Sequence, residues 1–115
     1  MTTILVVEDE APIRELLAVI LRDLGYHVEE AMNGREAIVL AEEHRPDLVI
    51  SDVMMPVMGG PELCRWVKQE LEPAPPVILT SSIGVHAARG TGADAFVRKP
   101  FDLDELEQKV RQYVH

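Results

Sequence analysis

The chain has 115 residues, 47% of them hydrophobic, with a single cysteine and 20 acidic residues against 11 lysines and arginines for a net charge of −9. That size suits one domain burying roughly two-thirds of its unfolded surface, without disulfide staples and in a reducing compartment. The charge excludes a nucleic-acid binder that rests on neutralising phosphates, and the longest apolar run, Leu16 to Leu21, is far short of a membrane span. The N-terminal run Ile4 to Val7 is too short for a secretory leader. The expectation is a soluble, cytoplasmic protein.

Short β-rich runs alternate with helical patterns along the whole chain. Ile4 to Val7 is continuously apolar, as a strand buried on both faces requires. Pro12 then suits a first helical turn, where its missing N–H costs nothing. Ile13, Leu16, Leu17, Ile20, Leu21 and Leu24 follow helical spacing, and Gly25 closes the segment. Tyr26 to Glu29 alternates, which marks an edge strand. Asn33 caps a second helix with Ala37, Ile38 and Ala41 inward, and Pro46 stops the chain after it.

Leu48 to Ile50 is a third strand, and Pro61 opens a third helix with Leu63, Val67 and Leu71 inward. Val77 to Leu79 is a fourth strand. The stretch from Ile83 to Gly92 holds three glycines and few apolar residues, so a short, weak helix near Val85 to Arg89 or an irregular loop is expected there. Ala95 to Val97 is a short fifth strand. Asp102 caps a last helix with Leu103, Leu106, Val110 and Val114 inward. Such alternation predicts an α/β fold, a parallel sheet with helices on both faces. Ligands in these sheets bind beyond the carboxyl ends of the strands.

The residues just after the strands are therefore the candidates for chemistry. Glu8, Asp9 and Glu10 follow the first strand, Asp52 the third, Thr80, Ser81 and Ser82 the fourth, and Lys99 with Pro100 the fifth. Carboxylates gathered at one edge repel one another unless a cation intervenes. Hard oxygen donors suit Mg2+, which also contacts phosphate. Asp52 is a candidate nucleophile toward phosphorus. Lys99 can balance charge on phosphoryl oxygens, and the Thr80 hydroxyl can donate to one of them.

These stretches are ILVVEDE, DLVISDVMMPVMGG, VILTSS and FVRKPF, and in order, spacing and context the chain resembles the receiver domain of two-component response regulators. The likeness covers essentially the whole chain, so residues 1–115 are expected to form one receiver domain. The resemblance implies a flavodoxin-like, doubly wound sheet of five parallel strands in the order 2-1-3-4-5. It implies a phosphoacceptor at Asp52, with Lys99 and Thr80 assisting. Mg2+ would be held by Asp9, Asp52, the backbone carbonyl of Met54 and, partly through water, Glu8. The Lys99–Pro100 bond would be cis.

The phosphodonor would be a histidine kinase or a histidine phosphotransfer protein, meeting the first helix at Pro12, Arg14 and Ala18. Phosphorylation would draw Thr80 toward the phosphoryl group and let Phe96 rotate inward, altering a surface used for an output partner or a homodimer. Two departures stand out. Only 19 positions separate Thr80 from Lys99, which shortens the fourth helix by most of a turn. Gly59 and Gly60 stand where an acid followed by glycine is usual, a change expected to affect only the loop. With the last helix at His115, the chain is expected to be a stand-alone receiver or a fragment of a larger regulator.

Competing readings are weaker. An aspartate-nucleophile phosphatase of the haloacid-dehalogenase type needs a second aspartate two positions on, where Met54 stands. A flavin module would need a phosphate-cradling loop after the first strand, where Glu8, Asp9 and Glu10 repel phosphate. A receiver-fold binding module acting without phosphorylation is opposed by the presence of every acceptor-site residue. Met54, Met55 and Met58 are expected to pack. His27, His44, His86 and His115 show no ligand spacing and are expected at the surface. Cys64 is expected to be packed, Trp66 half-buried, and Arg14 and Glu15 solvated.

Overall fold

Five apolar runs set the frame. In the computed structural model, which describes residues 1–84 and 89–114, they form β1 (Thr3–Val7), β2 (His27–Ala31), β3 (Leu48–Asp52), β4 (Val77–Ser81) and β5 (Ala95–Arg98). All pairings are parallel and the order is β2-β1-β3-β4-β5, so β2 and β5 are the edges. Every residue of β3 and β4 is buried, as central parallel strands require. β2 is only partly covered, with Val28 and Ala31 buried, Glu29 and Glu30 half-buried and His27 exposed, as its edge place predicts.

Four helices are described between and after the strands: α1 (Ala11–Asp23), α2 (Gly34–His44), α3 (Gly60–Glu70) and α4 (Leu103–Tyr113). Pro12 sits in the first turn of α1. Asn33 caps α2, its Oδ1 accepting from the Glu36 N–H at 2.9 Å. Asp102 caps α4, accepting from the N–H groups of Asp104 and Glu105. The short helix expected near Val85 to Arg89 falls mostly outside the described residues. The start of β5 is anchored by Asp94, whose Oδ2 accepts from the Val77 N–H at 2.8 Å and the Lys68 ammonium at 2.6 Å.

The sheet separates two apolar layers. Ile4, Val6, Leu48, Ile50, Ile78 and Val97 face Leu17, Ala18 and Leu21 of α1 and Leu106 and Val110 of α4. Leu5, Val7, Val49, Val77 and Leu79 face Ala37 and Ala41 of α2 and Leu63, Cys64 and Val67 of α3. Cys64 is fully buried, and that burial pushes its thiol up from its ordinary value, so it packs rather than reacts. Trp66 is half-buried against the second layer.

Expectations about side-chain direction fail at Leu103 and Ala18, and at Met54, which was expected to pack and is 64% exposed. Leu103 is 55% exposed rather than inward: its spacing puts it on the Leu106–Val110 face, but it is the first residue of α4. It borders a shallow apolar groove of about 250 Å³ with Ile13, Leu16 and Phe101. Ala18 is fully buried between Leu17 and Leu21 in the first layer, so it cannot meet a partner. Leu16 and Val19 are the exposed large apolar residues of α1.

Candidate functional site

Strand periodicity explains why the charged residues meet. Side chains alternate faces along a strand, so each row facing α1 and α4 continues past the apolar core into polar chemistry. Ile4 and Val6 lead to Glu8, Leu48 and Ile50 to Asp52, Ile78 to Thr80, and Val97 to Lys99. The parallel register places Asp52 directly beside Thr80, and Thr80 beside Val97. Four rows thus end in one polar cluster at the carboxyl edge of the sheet.

At its centre is the Lys99 ammonium, 2.5 Å from Glu8 Oε1 and 3.0 Å from Asp52 Oδ2. The chain turns through a cis Lys99–Pro100 bond just after it. Glu8, Asp9 and Asp52 each offer a carboxylate oxygen, and these lie within 4.8 Å of one another. Glu8 and Asp52 are buried and Asp9 is exposed. A cleft of about 400 Å³ opens over them, lined by Asp9, Glu10, Ile13, Asp52, Met54, Ser81, Ser82 and Lys99 with Pro100.

The electrostatics follow from enclosure. Burial pushes the Glu8 carboxyl up from 4.5 to about 7, against the pull of Lys99. Lys99 itself is raised: burial opposes its charge, but its hydrogen bonds to Glu8 and Asp52 outweigh that. Three acids facing one lysine leave an excess of negative charge. A hard divalent cation fits this all-oxygen donor set, with the open cleft leaving room for its waters.

The structure brings Glu8, Asp9, Asp52, Lys99 and Thr80 to one edge. The Met54 side chain is 64% exposed at the rim, and its N–H donates to Asp52 Oδ1 at 3.3 Å. Phe96 lies apart, partly buried against the α2 and α3 layer and beside Leu79 in register. Pro12 is exposed. Arg14, expected to be solvated, is not: its side chain is 16% exposed, donates to the Glu8 carbonyl at 2.9 Å and pairs with Glu30 at 3.5 Å.

Two supporting residues escaped the sequence reading. Arg14 clamps the β1–α1 turn from below, and no spacing rule signals a contact to a backbone carbonyl. Gly60, assigned only a loop effect, is buried, and a Cβ there would lie 2.3 Å from the Asp52 carbonyl oxygen. The GG pair was the available signal, since a glycine opening a helix against a strand end marks close backbone approach.

Fold and site together define a phosphoacceptor signalling domain, and the chain belongs to the response regulator receiver domain family, which matches residues 4–111. Among its relatives, it is 42% identical over 111 residues to the response regulator MprA of Mycolicibacterium vanbaalenii, covering 94% of this chain and 48% of that protein. It is 39% identical over 115 residues to histidine kinase P4 of Formosa agariphila, covering 96% of this chain and 8% of that protein. The chain thus spans less than half the length of these curated relatives. Among solved structures it resembles the response regulator TrrA of Thermotoga maritima in complex with Mg2+ and BeF, with a TM-score of 0.91 and 35% identity over 99% of this chain and 100% of that one. It also resembles the chemotaxis protein CheY4 of Vibrio cholerae, with a TM-score of 0.88 and 31% identity over 99% of each chain. Among the described residues, no helix is long and apolar enough to cross a membrane.

Proposed function

We propose that Asp52 accepts the phosphoryl group, from a phosphohistidine on a histidine kinase or histidine phosphotransfer protein. The observation that carries this is the Asp52 carboxylate held 3.0 Å from the Lys99 ammonium, inside a cluster of three acids under an open cleft. A carboxylate oxygen of Asp52 attacks phosphorus in line. The O–P bond forms as the N–P bond breaks, and the imidazole nitrogen keeps the bonding pair and takes up a proton. The product is an aspartyl phosphate.

Lys99 is placed to follow the developing charge onto the phosphoryl oxygens, and the Thr80 hydroxyl, on the neighbouring strand in register, donates to one of them. Asp9, Asp52, the Met54 carbonyl and, through water, Glu8 would hold Mg2+, which would supply charge neutralisation at the phosphoryl oxygens. Arg14 and the Glu10 N–H hold the Glu8 turn. The switch runs through Thr80 moving toward the phosphoryl group and Phe96, on an edge strand with a neighbour on one side only, swinging inward. Residues 1–115 act as one receiver unit, in the cytoplasm, and its altered surface is read by an output partner or a second copy.

The test is intact mass after incubation with magnesium and a small acyl-phosphate donor. The parent gains one phosphoryl group. The gain is absent without magnesium and absent in Asp52→Asn. A folded, magnesium-binding parent that gains nothing would sink the proposal.

A further inference from the structure

The three acids at the acceptor edge are not held alike. Glu8 and Asp52 each accept from the Lys99 ammonium. The exposed Asp9 carboxylate accepts no hydrogen bond among the described residues, so its place is set through its backbone. That backbone is gripped on both sides of Glu8. The Glu8 N–H donates to the Ala31 carbonyl at 3.0 Å, and the Glu8 carbonyl accepts from Arg14 Nη1 at 2.9 Å. Arg14 is itself steered from the edge strand. Its Nε pairs with Glu30 Oε1 at 3.5 Å, and the other Glu30 oxygen meets Arg22 Nη2 at 3.3 Å. Arg22 also donates to the Val28 carbonyl at 3.1 Å, which ties α1 to β2. Val28 packs in the layer under α1, so Glu30, two residues on, faces α1 as well.

We propose that Arg14, steered by Glu30, is a positioning residue that sets the affinity of the acidic edge for Mg2+, a role that rests on the reading of Asp9 and Asp52 as ligands. The Glu8 carbonyl belongs to the planar peptide that joins Glu8 to Asp9. Fixing that carbonyl fixes the plane, and with it the direction in which the Asp9 side chain leaves the backbone. A ligand already in place costs less ordering when the ion arrives. Outer groups that orient ligands in this way are worth roughly 10–100-fold in metal affinity.

The residue type fits the task. A guanidinium carries donors at separate points of a rigid fork, so Nη1 reaches the Glu8 carbonyl while Nε faces Glu30. A lysine carries the same charge on one nitrogen and cannot serve both acceptors in that geometry. Charge alone predicts the opposite sign, since a cation behind the turn repels Mg2+. Burial keeps the pair in register: the side chain of Arg14 is 16% exposed and that of Glu30 28%. Glu30 pairs in register with Val6, two residues before Glu8, so the edge strand reaches the ligand turn through one arginine.

The experiment is calorimetric titration with magnesium chloride, paired with the rate of phosphorylation from a small acyl-phosphate donor at rising magnesium and with thermal unfolding without metal. The chains are the parent, Arg14→Lys, Glu30→Gln and the double variant. Arg14→Lys binds magnesium roughly tenfold more weakly. Its half-saturating magnesium in the rate assay rises by the same factor, and its rate at saturating magnesium equals that of the parent. Glu30→Gln weakens binding in the parent background and does so less once Arg14 is lysine, because its effect runs through Arg14. Arg14→Lys binding as tightly as the parent, with or without a lower melting temperature, would overturn the proposal. So would a rate still depressed at saturating magnesium, or a Glu30→Gln effect of equal size in both backgrounds. A parent that binds no magnesium would sink the metal reading and this proposal with it, whereas a parent that binds beside variants that match it overturns the proposal alone.

Discussion

Replacing Gly60 by alanine tests how closely the acceptor strand is held. The added Cβ would lie 2.3 Å from the Asp52 carbonyl oxygen, 3.0 Å from Val53 Cα and 3.1 Å from the Asp52 carbonyl carbon, where ordinary contact begins at 3.4 Å. The shortfall to the oxygen is thus 3.4 − 2.3 = 1.1 Å, and all three atoms are backbone, which cannot swing aside. Alanine is the better helix former by about 1 kcal/mol. Overpacking a tight site costs about 1–3 kcal/mol, occasionally more, and an overlap of an ångström against backbone belongs at the upper end. The clash therefore wins, by about 1–2 kcal/mol net, which lowers the melting temperature by roughly 4–10 °C in a domain of this size. Relief requires α3 or the end of β3 to move, and a misplacement of about 1 Å at a reacting group can cost on the order of 100-fold in rate. The assay pairs thermal unfolding with the rate of phosphorylation from a small donor. Gly59→Ala serves as the milder case, since its Cβ would be tight against the Val53 carbonyl oxygen at 3.0 Å and in ordinary contact with Pro61 Cδ at 3.7 Å. A Gly60→Ala protein that melts with the parent and is phosphorylated at the parental rate would refute the reasoning.

Three further outcomes are expected. Lys99→Met removes the cation facing Glu8 and Asp52 and lowers stability by about 2–3 kcal/mol at neutral pH, somewhat below the cost of breaking a fully buried pair; urea unfolding shows a smaller loss at pH 5, where Glu8 is protonated. Because Glu8 is raised from 4.5 to about 7, the native state holds a proton that the unfolded chain has released within that window. The stability that Glu8 contributes without metal is therefore fully present below about 4.5 and is lost as pH rises through about 7, while magnesium affinity, measured by calorimetry, rises over the same window as the proton leaves. Asn33→Ala removes the Oδ1 acceptor from the Glu36 N–H and costs about 1 kcal/mol in urea unfolding, with phosphorylation rate unchanged.

Much of this molecule was legible because its core strands are written as short continuous apolar runs. The runs at Ile4, Leu48 and Val77 declare buried parallel strands, and Glu8, Asp52, Thr80 and Lys99 continue those runs into the ligand edge. What escaped depends on directions that spacing does not fix. The resemblance implied a partner contact at Ala18, yet helical geometry puts it between Leu17 and Leu21 against the sheet. Leu103 reads as core but occupies a first helical turn. Gly60 matters through a backbone approach and Arg14 through a carbonyl, neither of which leaves a pattern in side-chain chemistry. His27 and His44 are 17 positions apart, and only the return of α2 to the start of β2 brings both to Glu29.

The account rests on Asp52 as the acceptor, and the direct measurement is to map the modified residue. The phosphorylated protein is reduced with borohydride, which converts an aspartyl phosphate to homoserine, then digested and sequenced by tandem mass spectrometry. The account predicts homoserine at position 52, lost when magnesium is omitted. Homoserine at Asp9 or another acid, with Asp52 intact, would contradict it.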